Sequence, residues 1–205
     1  MKYAIIYLHG FNSASLDLSG KLLTSQEKLV VLNRFCEQQH IPFCTPNVDY
    51  RNFTQIISDL LDLFKQLSSQ GYQVSFMGSS LGGFTSEYMA MKTQSKAIMI
   101  NPAISPSTIL PQFIGCSENF ETKQAYDWQQ QQCEQYIEFE SELDNYSGSP
   151  INRTVLLDMA DELLDLNLTL KKYKNCANVF TYQGGSHSFE HIEQALPEIK
   201  KVIFS

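Results

Sequence analysis

The sequence predicts an α/β fold with a mostly parallel sheet of about six strands, close to the mean sheet size, and helices on both faces. Short apolar runs alternate with segments of helical periodicity along most of the 205 residues. Strands that alternate with helices pair in parallel through crossover connections. A hydrophobic content of 43% beside 18% charged residues is typical of a globular protein, and the length favours one domain, 1–205.

The elements are predicted in chain order. An apolar strand at 3–8 is followed by a helix at 24–40, which Thr24 can cap with Glu27 three residues later. There follow a strand at 43–48, an amphipathic helix at 53–71, a strand at 74–78, a helix to about residue 92 and a strand at 96–101. The alternation then lapses and resumes with a strand at 153–159, a helix at 162–173, a strand at 178–183 and a helix from 187 onward.

The irregular stretch at about 102–150 is predicted to be a small helical cap inserted into the domain. It contains the single tryptophan, several other aromatic residues and a run of four glutamines. We expect it to cover the carboxyl edge of the sheet, with some of its aromatic residues lining an apolar pocket. The simpler alternative, core packing between cap and sheet, accounts for most of these aromatic residues.

Charge and cysteine content exclude several classes of partner. A formal net charge of −7 disfavours nucleic acid or an anionic membrane, because both attract basic surfaces. The five cysteines form no CxxC pair, which favours reduced thiols over a disulfide framework or a metal site. The first apolar run is too short for a signal peptide, and no window is long enough to span a membrane. We therefore expect a cytoplasmic location.

The strand-to-helix junction at residues 78–82 has the pattern G-x-S-x-G, with Ser80 at its centre. A nucleophile elbow has this form, and Gly78 and Gly82 permit the close backbone contacts of so sharp a turn. The alternative is a glycine-rich connection that binds phosphate at a helix N-terminus. The chain lacks a Walker lysine and a GxGxxG motif, which disfavours nucleotide binding. Ser79 lies outside the centre of the motif and is predicted to support the turn.

A serine nucleophile needs a base. Of the four histidines, His187 lies in a Gly-Ser-rich loop after the last strand, where a doubly wound sheet builds its site. His191, four residues later, is a weaker candidate within the predicted helix. His40 is interpreted as a solvated residue at a helix end, and His9 as a support for the loop that follows the first strand.

The acid that orients the base is expected after the preceding strand, where LLDMADELLD offers several carboxylates. Asp161, at the junction of strand and helix, is preferred over Asp158 in the strand and Asp165 in the helix, although Asp161 could also cap that helix. The resulting chain order of serine, aspartate and histidine is that of α/β-hydrolases.

An oxyanion hole is predicted from two backbone N–H groups. The first is that of Leu81, directly after the nucleophile. The second is that of Phe11, in the loop after the first strand, where Gly10 allows the backbone to approach the reacting carbonyl.

Five segments make the chain resemble the YqiA/YcfP-type family of small bacterial α/β-hydrolase-fold esterases nearly end to end. They are YLHGFNS at the start, GSSLGG at the elbow, INPA at 100–103, DELLD at 161–165 and GGSHSF at 184–189. The resemblance implies the same triad of Ser80, Asp161 and His187, and no metal or organic cofactor. The chain departs from the family pattern at Ala160, in the stretch after HGFNS and in INPAISP, which lacks an arginine.

The sequence thus predicts a serine hydrolase that cleaves carboxylic esters, or acyl thioesters, through an acyl-enzyme intermediate. Its partner would be a small acyl ester or thioester. Two alternatives remain open: an acyltransferase that uses the same triad, and a non-catalytic binding protein on the same fold.

Overall fold

The computed structural model describes residues 1–205 and confirms the predicted sheet. In chain order the strands are β1 Lys2–Leu8, β2 Phe43–Cys44, β3 Tyr72–Ser80, β4 Lys96–Pro102, β5 Gly115–Glu118, β6 Ala125–Trp128, β7 Asn152–Asp158 and β8 Asn178–Tyr182. Six of them form one parallel sheet in the order β2-β1-β3-β4-β7-β8, while β5 and β6 form a separate antiparallel pair. All loops that follow the strands of the main sheet therefore meet at one edge.

Helices cover both faces of this sheet. They are α1 Glu27–Gln38, α2 Phe53–Ser69, α3 Leu81–Thr93, α4 Pro106–Ile109, α5 Gln130–Asp144, α6 Leu166–Tyr173 and α7 Ile192–Phe204. Side chains alternate along β1, so that Ile6 faces the core beneath α2 and α3 while Ile5 faces the core beneath α1 and α7. None of the helices is long and apolar enough to cross a bilayer.

Several predicted boundaries were wrong, for local reasons. Helix α1 begins at Glu27 after Gln26, whose side chain makes no capping bond, so Thr24 does not cap it. Strand β2 is only two residues long, and Pro46 just beyond it has no N–H for a ladder. Helix α6 starts at Leu166, because Asp165 is its N-cap and the Asp165 carboxylate accepts hydrogen bonds from the N–H groups of Asn167 and Leu168.

Residues 102–150 contain a hairpin as well as helices. Strands β5 and β6 form it, and Phe120 at its turn donates its N–H to the Asn12 carbonyl in the loop after β1. Trp128, at the end of β6, is fully buried with its ring 4.7 Å from that of Phe11. Helix α5 packs against α2, with the Tyr136 ring 4.9 Å from the Phe53 ring. The largest aromatic residues of this stretch thus contribute to core packing.

The first turn of α3 packs directly on the backbone of β1. A Cβ added at Gly82 would lie 2.1 Å from the Leu8 carbonyl oxygen, and one added at Gly78 would lie 2.1 Å from the Gly82 carbonyl oxygen. Real Cβ atoms do not approach oxygen so closely, and the obstacle in both cases is backbone. Only glycine allows this contact between helix and strand.

Gly82→Ala should therefore lower the free energy of unfolding by more than about 3 kcal/mol, because the methyl group forces α3 away from β1. Urea unfolding followed by circular dichroism measures the loss. Gly20→Ala is the control, since Gly20 has a φ of +80° with nothing within 4 Å of an added Cβ. There only the left-handed backbone penalty of about 1–2 kcal/mol applies. Equal losses in the two variants would contradict the close contact.

A buried ionic group joins α3, β7 and α6. The Glu87 side chain is 1% exposed, and its carboxylate accepts a hydrogen bond from Arg153 Nε at 2.5 Å. Its other oxygen accepts the Tyr173 hydroxyl at 2.7 Å. Burial and the neighbouring Glu87 carboxylate hold the pKa of Tyr173 well above its ordinary value, so this hydroxyl remains a donor.

Arg153→Met should cost about 3 kcal/mol of unfolding free energy, because it leaves the buried Glu87 charge without its cation. The double variant Glu87→Gln/Arg153→Met should recover most of that loss, since the amide is neutral and still accepts the Tyr173 hydroxyl. Thermal or urea unfolding of both variants measures the difference. A double variant no more stable than the single one would contradict an unpaired charge as the cause.

Candidate active site

Ser80 lies at the turn between β3 and α3 in a strained backbone conformation. Its φ is +55° and its ψ is −120°, a region that residues other than glycine rarely occupy. Such strain persists only where surrounding packing imposes it, and the Gly78–Gly82 contact supplies that packing. The geometry has the form of a nucleophile elbow, with Ser80 directly before the first residue of α3.

The loop after β1 lies against Ser80. A Cβ at Gly10 would be 3.2 Å from the Ser80 Cβ and 3.9 Å from its Oγ. Phe11, the next residue, packs its ring on Trp128, and its backbone N–H makes no hydrogen bond within the protein. Leu81 is the first residue of α3, so its N–H has no partner within its own helix. Of the two predicted oxyanion donors, Leu81 thus directly follows Ser80 in sequence, and Phe11 directly follows Gly10, which lies against Ser80 in space.

His9 is fixed within this loop in a single tautomer. Its Nε2 accepts the Val48 N–H at 3.0 Å, so the ring proton is on Nδ1, which donates to the Gly10 carbonyl at 2.8 Å. Burial lowers the pKa of His9 to about 4, against the opposing effect of the Gly10 hydrogen bond. The Tyr50 hydroxyl donates to the His9 carbonyl at 2.5 Å. A neutral His9 with both nitrogens bonded to backbone holds the Gly10–Phe11 peptide in place.

His187 and Asp161 meet at the carboxyl edge. His187 Nδ1 lies 2.8 Å from Asp161 Oδ2, and the Asp161 side chain is fully buried while that of His187 is 18% exposed. The second carboxylate oxygen of Asp161 accepts the N–H groups of Leu163 and Leu164. Asp161 therefore both pairs with the histidine and caps the turn before α6.

The Asp161 carboxylate is stabilised in its ionised form. Burial raises its pKa, but the hydrogen bond and electrostatic interaction with His187 and the N–H groups of Leu163 and Leu164 lower it by more. The net effect places the pKa of Asp161 below its ordinary value. An ionised carboxylate beside Nδ1 leaves Nε2 as the nitrogen able to accept a proton.

A second aspartate–histidine pair lies beside the first. His191 Nδ1 is 2.7 Å from Asp158 Oδ1, and Asp158 Oδ2 accepts the Glu190 N–H at 2.7 Å. A Cβ at Gly185, which has a φ of +73°, would lie 1.9 Å from that same oxygen. This second pair is bonded into the backbone of the 184–191 loop. His191 precedes α7 instead of lying within it.

The structure places two further polar residues that sequence reasoning did not assign. Asn101 accepts the Asp158 N–H at 2.9 Å and donates to the Ser186 carbonyl at 3.0 Å, linking β4, β7 and the histidine loop. Glu162 accepts the His187 backbone N–H at 3.0 Å. Asn101 lies in the INPA motif at 100–103. The motif singled out this residue in the sequence, but it did not predict which groups Asn101 would contact.

Ser80 and His187 line one cavity of about 500 Å³ at the carboxyl edge. Ser80 Oγ makes no hydrogen bond within the protein, to His187 or to any other group. Phe120, from the hairpin turn, is the one aromatic residue of 102–150 that lines this cavity. A second cavity of about 630 Å³ lies across Phe11 and has a largely polar lining that includes His9 and Arg51. The expected apolar pocket lined by several aromatic residues of the cap is not formed around Ser80.

No group of three or more histidine, cysteine, aspartate or glutamate side chains is arranged to hold a metal ion. All five cysteines have free thiols, and burial raises the pKa of Cys36 to about 12, with a smaller contribution from Glu37.

Solved structures of hydrolytic enzymes share this fold. Est1E from Butyrivibrio proteoclasticus aligns with a TM-score of 0.71 at 14% identity, over 99% of this chain and 88% of that chain. An S-formylglutathione hydrolase from Agrobacterium tumefaciens aligns with a TM-score of 0.63 at 13% identity, over 98% and 82%. One of the metagenome-derived lipolytic enzymes LipS and LipT gives a TM-score of 0.69 at 11% identity, over 98% and 94%. These similarities confirm the α/β-hydrolase fold.

A family model covers nearly the whole chain. The model of the uncharacterised protein family UPF0227 matches residues 4–204, which confirms the family resemblance inferred from the five sequence segments. The chain belongs to the UPF0227 family of proteins with the α/β-hydrolase fold.

Proposed function

We propose that this protein is a serine hydrolase that cleaves carboxylic esters through a Ser80–His187–Asp161 triad. One observation carries the proposal: His187 Nδ1 lies 2.8 Å from the carboxylate of the fully buried Asp161, and His187 lines the same cavity as the strained Ser80. A single such pair can be structural, as Asp158–His191 illustrates. The Asp161 pair differs because its histidine lines the same cavity as the serine.

In the first half-reaction Ser80 Oγ attacks the ester carbonyl carbon while His187 Nε2 takes the hydroxyl proton. The ionised Asp161 holds Nδ1–H and stabilises the imidazolium that forms. The oxyanion would accept hydrogen bonds from the N–H groups of Phe11 and Leu81. Loss of one such donor lowers kcat by about 100- to 1000-fold. His187 then protonates the leaving alcohol, and the acyl group remains on Ser80.

Water completes the cycle. His187 removes a proton from water as it attacks the acyl carbonyl, and returns that proton to Ser80 Oγ when the carboxylic acid leaves. The stretch 102–150 would act as a cap through its hairpin, which holds Phe120 at the cavity and anchors the Asn12 side of the oxyanion loop. No metal or organic cofactor takes part in these steps.

The substrate class is a small acyl ester, and thioesters are chemically accessible to the same residues. Est1E has been solved with ferulic acid, and the Agrobacterium tumefaciens neighbour is named for a thioester substrate. These substrates are those of the neighbouring proteins. Because those proteins have low sequence identity to this chain, they show only that the fold supports both ester and thioester chemistry. Transfer of the acyl group to an alcohol in place of water would need no further residue.

An activated Ser80 should react with a fluorophosphonate to give one covalent adduct, seen by intact mass spectrometry. Ser80→Ala should give none and should lower kcat on p-nitrophenyl butyrate by at least about 1000-fold. Ser79→Ala is the matched control at the neighbouring position. At the end of the reaction it should still carry one fluorophosphonate adduct per chain. If Ser80→Ala still hydrolysed the ester, the proposal would be refuted. Analysis of the products with and without added alcohols would detect acyl transfer.

The two aspartate–histidine pairs should separate by measurement. Asp161→Asn should lower kcat by about 1000- to 10,000-fold, because the amide favours the wrong tautomer of His187. Asp158→Asn should lower the urea midpoint, because Asp158 organises the backbone of the 184–191 loop. If instead Asp158→Asn lost its kcat while remaining stable, and Asp161→Asn remained active, the triad would be assigned to Asp158 and His191.

A further inference from the structure

Lys28, on the first turn of α1, reaches the candidate active site from outside the predicted machinery. Its Nζ donates to Ser79 Oγ at 2.7 Å and to the Ser188 carbonyl at 3.0 Å. Ser79 directly precedes the proposed nucleophile, and Ser188 directly follows the proposed base. One ammonium group thus bridges two loops that carry reacting groups.

This bridge is significant because the two loops have no other direct link at the reacting atoms. Ser80 ends β3 and His187 follows β8, two strands that are not neighbours in the sheet. No hydrogen bond joins Ser80 Oγ to His187. The Asp161 and Asp158 pairs fix the histidine loop to β7, and the glycine contacts fix Ser80 to β1. Strand β4 links the two parts indirectly, because Asn101 donates to the Ser186 carbonyl and the Ala103 N–H donates to the Ser80 carbonyl. Lys28 is the side chain that bonds both the Ser79–Ser80 segment and the histidine loop directly.

We propose that Lys28 is a positioning residue, whose ammonium sets the separation between the Ser80 turn and the His187 loop. The inference rests on the proposed hydrolase function. A lysine suits this role because an ammonium has three donors and no acceptor, so that it can bond a hydroxyl and a carbonyl at once. A bridge that carries charge is also stronger than a neutral one. A displacement of about 1 Å at reacting groups costs on the order of 100-fold in rate.

Charged groups on several elements face Lys28. Asp158 and Asp161 favour its charged form from the β7 side. The cavity that it lines also contains Glu27 from its own helix, Glu121 from the hairpin, and Glu162, His187 and Glu190 from the loops. Burial nonetheless lowers the pKa of Lys28 to about 8. The bridge should therefore lose its charge as the pH rises through about 8.

The experiment compares kcat and KM on p-nitrophenyl butyrate from pH 6 to 10 for the wild type, Lys28→Met and Lys28→Arg. We expect Lys28→Met to lower kcat about 100-fold with KM within about threefold, because positioning acts on the reacting atoms and not on substrate binding. The wild-type kcat should decline above about pH 8. Lys28→Arg, whose guanidinium keeps its charge, should restore part of kcat without that decline.

Lys65→Met is the matched control, since it removes the same charge from a side chain that is 70% exposed on α2. Its kcat and pH profile should match those of the wild type. Ser79→Ala removes one arm of the bridge and should lower kcat about 10-fold, with no further loss when it is combined with Lys28→Met. Ser79→Ala and Lys28→Arg also test the bridge if Lys28→Met does not fold.

Three outcomes would overturn the inference. Wild-type kcat and an unchanged pH profile in folded Lys28→Met would show that the bridge is structural only. A fluorophosphonate adduct on Ser79 would make Lys28 the partner of a different nucleophile. A wild type that neither hydrolyses esters nor forms an adduct removes the proposed function together with this role, whereas an active wild type with an unaffected Lys28→Met removes this role alone.

Discussion

The contact between the first turn of α3 and the backbone of β1 is the constraint on which the candidate site depends. A Cβ at Gly82 would overlap the Leu8 carbonyl oxygen. Because the helix packs so closely on the strand, the chain must turn sharply at Ser80, which has a positive φ. The same contact sets α3 beside the loop that follows β1, so Gly10 comes to lie against Ser80. Ser80 and the loop after β1 are therefore positioned by backbone packing, which is stiffer than a contact between flexible side chains.

The opposite side of the site is organised by carboxylates. Asp158 ends β7, accepts a hydrogen bond from the Glu190 N–H and pairs with His191. Asp161, three residues later, pairs with His187, which lines the cavity that Ser80 also lines. Two adjacent pairs of the same chemistry thus differ in surroundings: one is bonded into the loop and the other borders a cavity. The electrostatic consequence is a locally acidic edge, in which Asp158 and Asp161 favour the charged form of Lys28.

Sequence periodicity was informative where local physics decides the outcome. The six parallel strands, the elbow at Ser80 and the junction position of Asp161 follow from apolar runs, glycine placement and turn residues. Boundaries were less predictable because caps compete: Gln26 instead of Thr24 precedes α1, and Asp165 begins α6 later than the helical pattern suggested. The hairpin at 115–128 was missed because its short strands are stabilised by contacts with Asn12 and Phe11, which are distant in sequence.

By itself the sequence determined the fold class, the family and the set of residues from which a triad could be drawn, because these depend on periodicity and on motifs a few residues long. Only the tertiary structure decided how those residues pair. Asp158 with His191, Asp161 with His187, and Lys28 between Ser79 and Ser188 are contacts across 26 to 160 residues. Such contacts are fixed by the order of strands in the sheet and the packing of α1 on it, which no local pattern encodes.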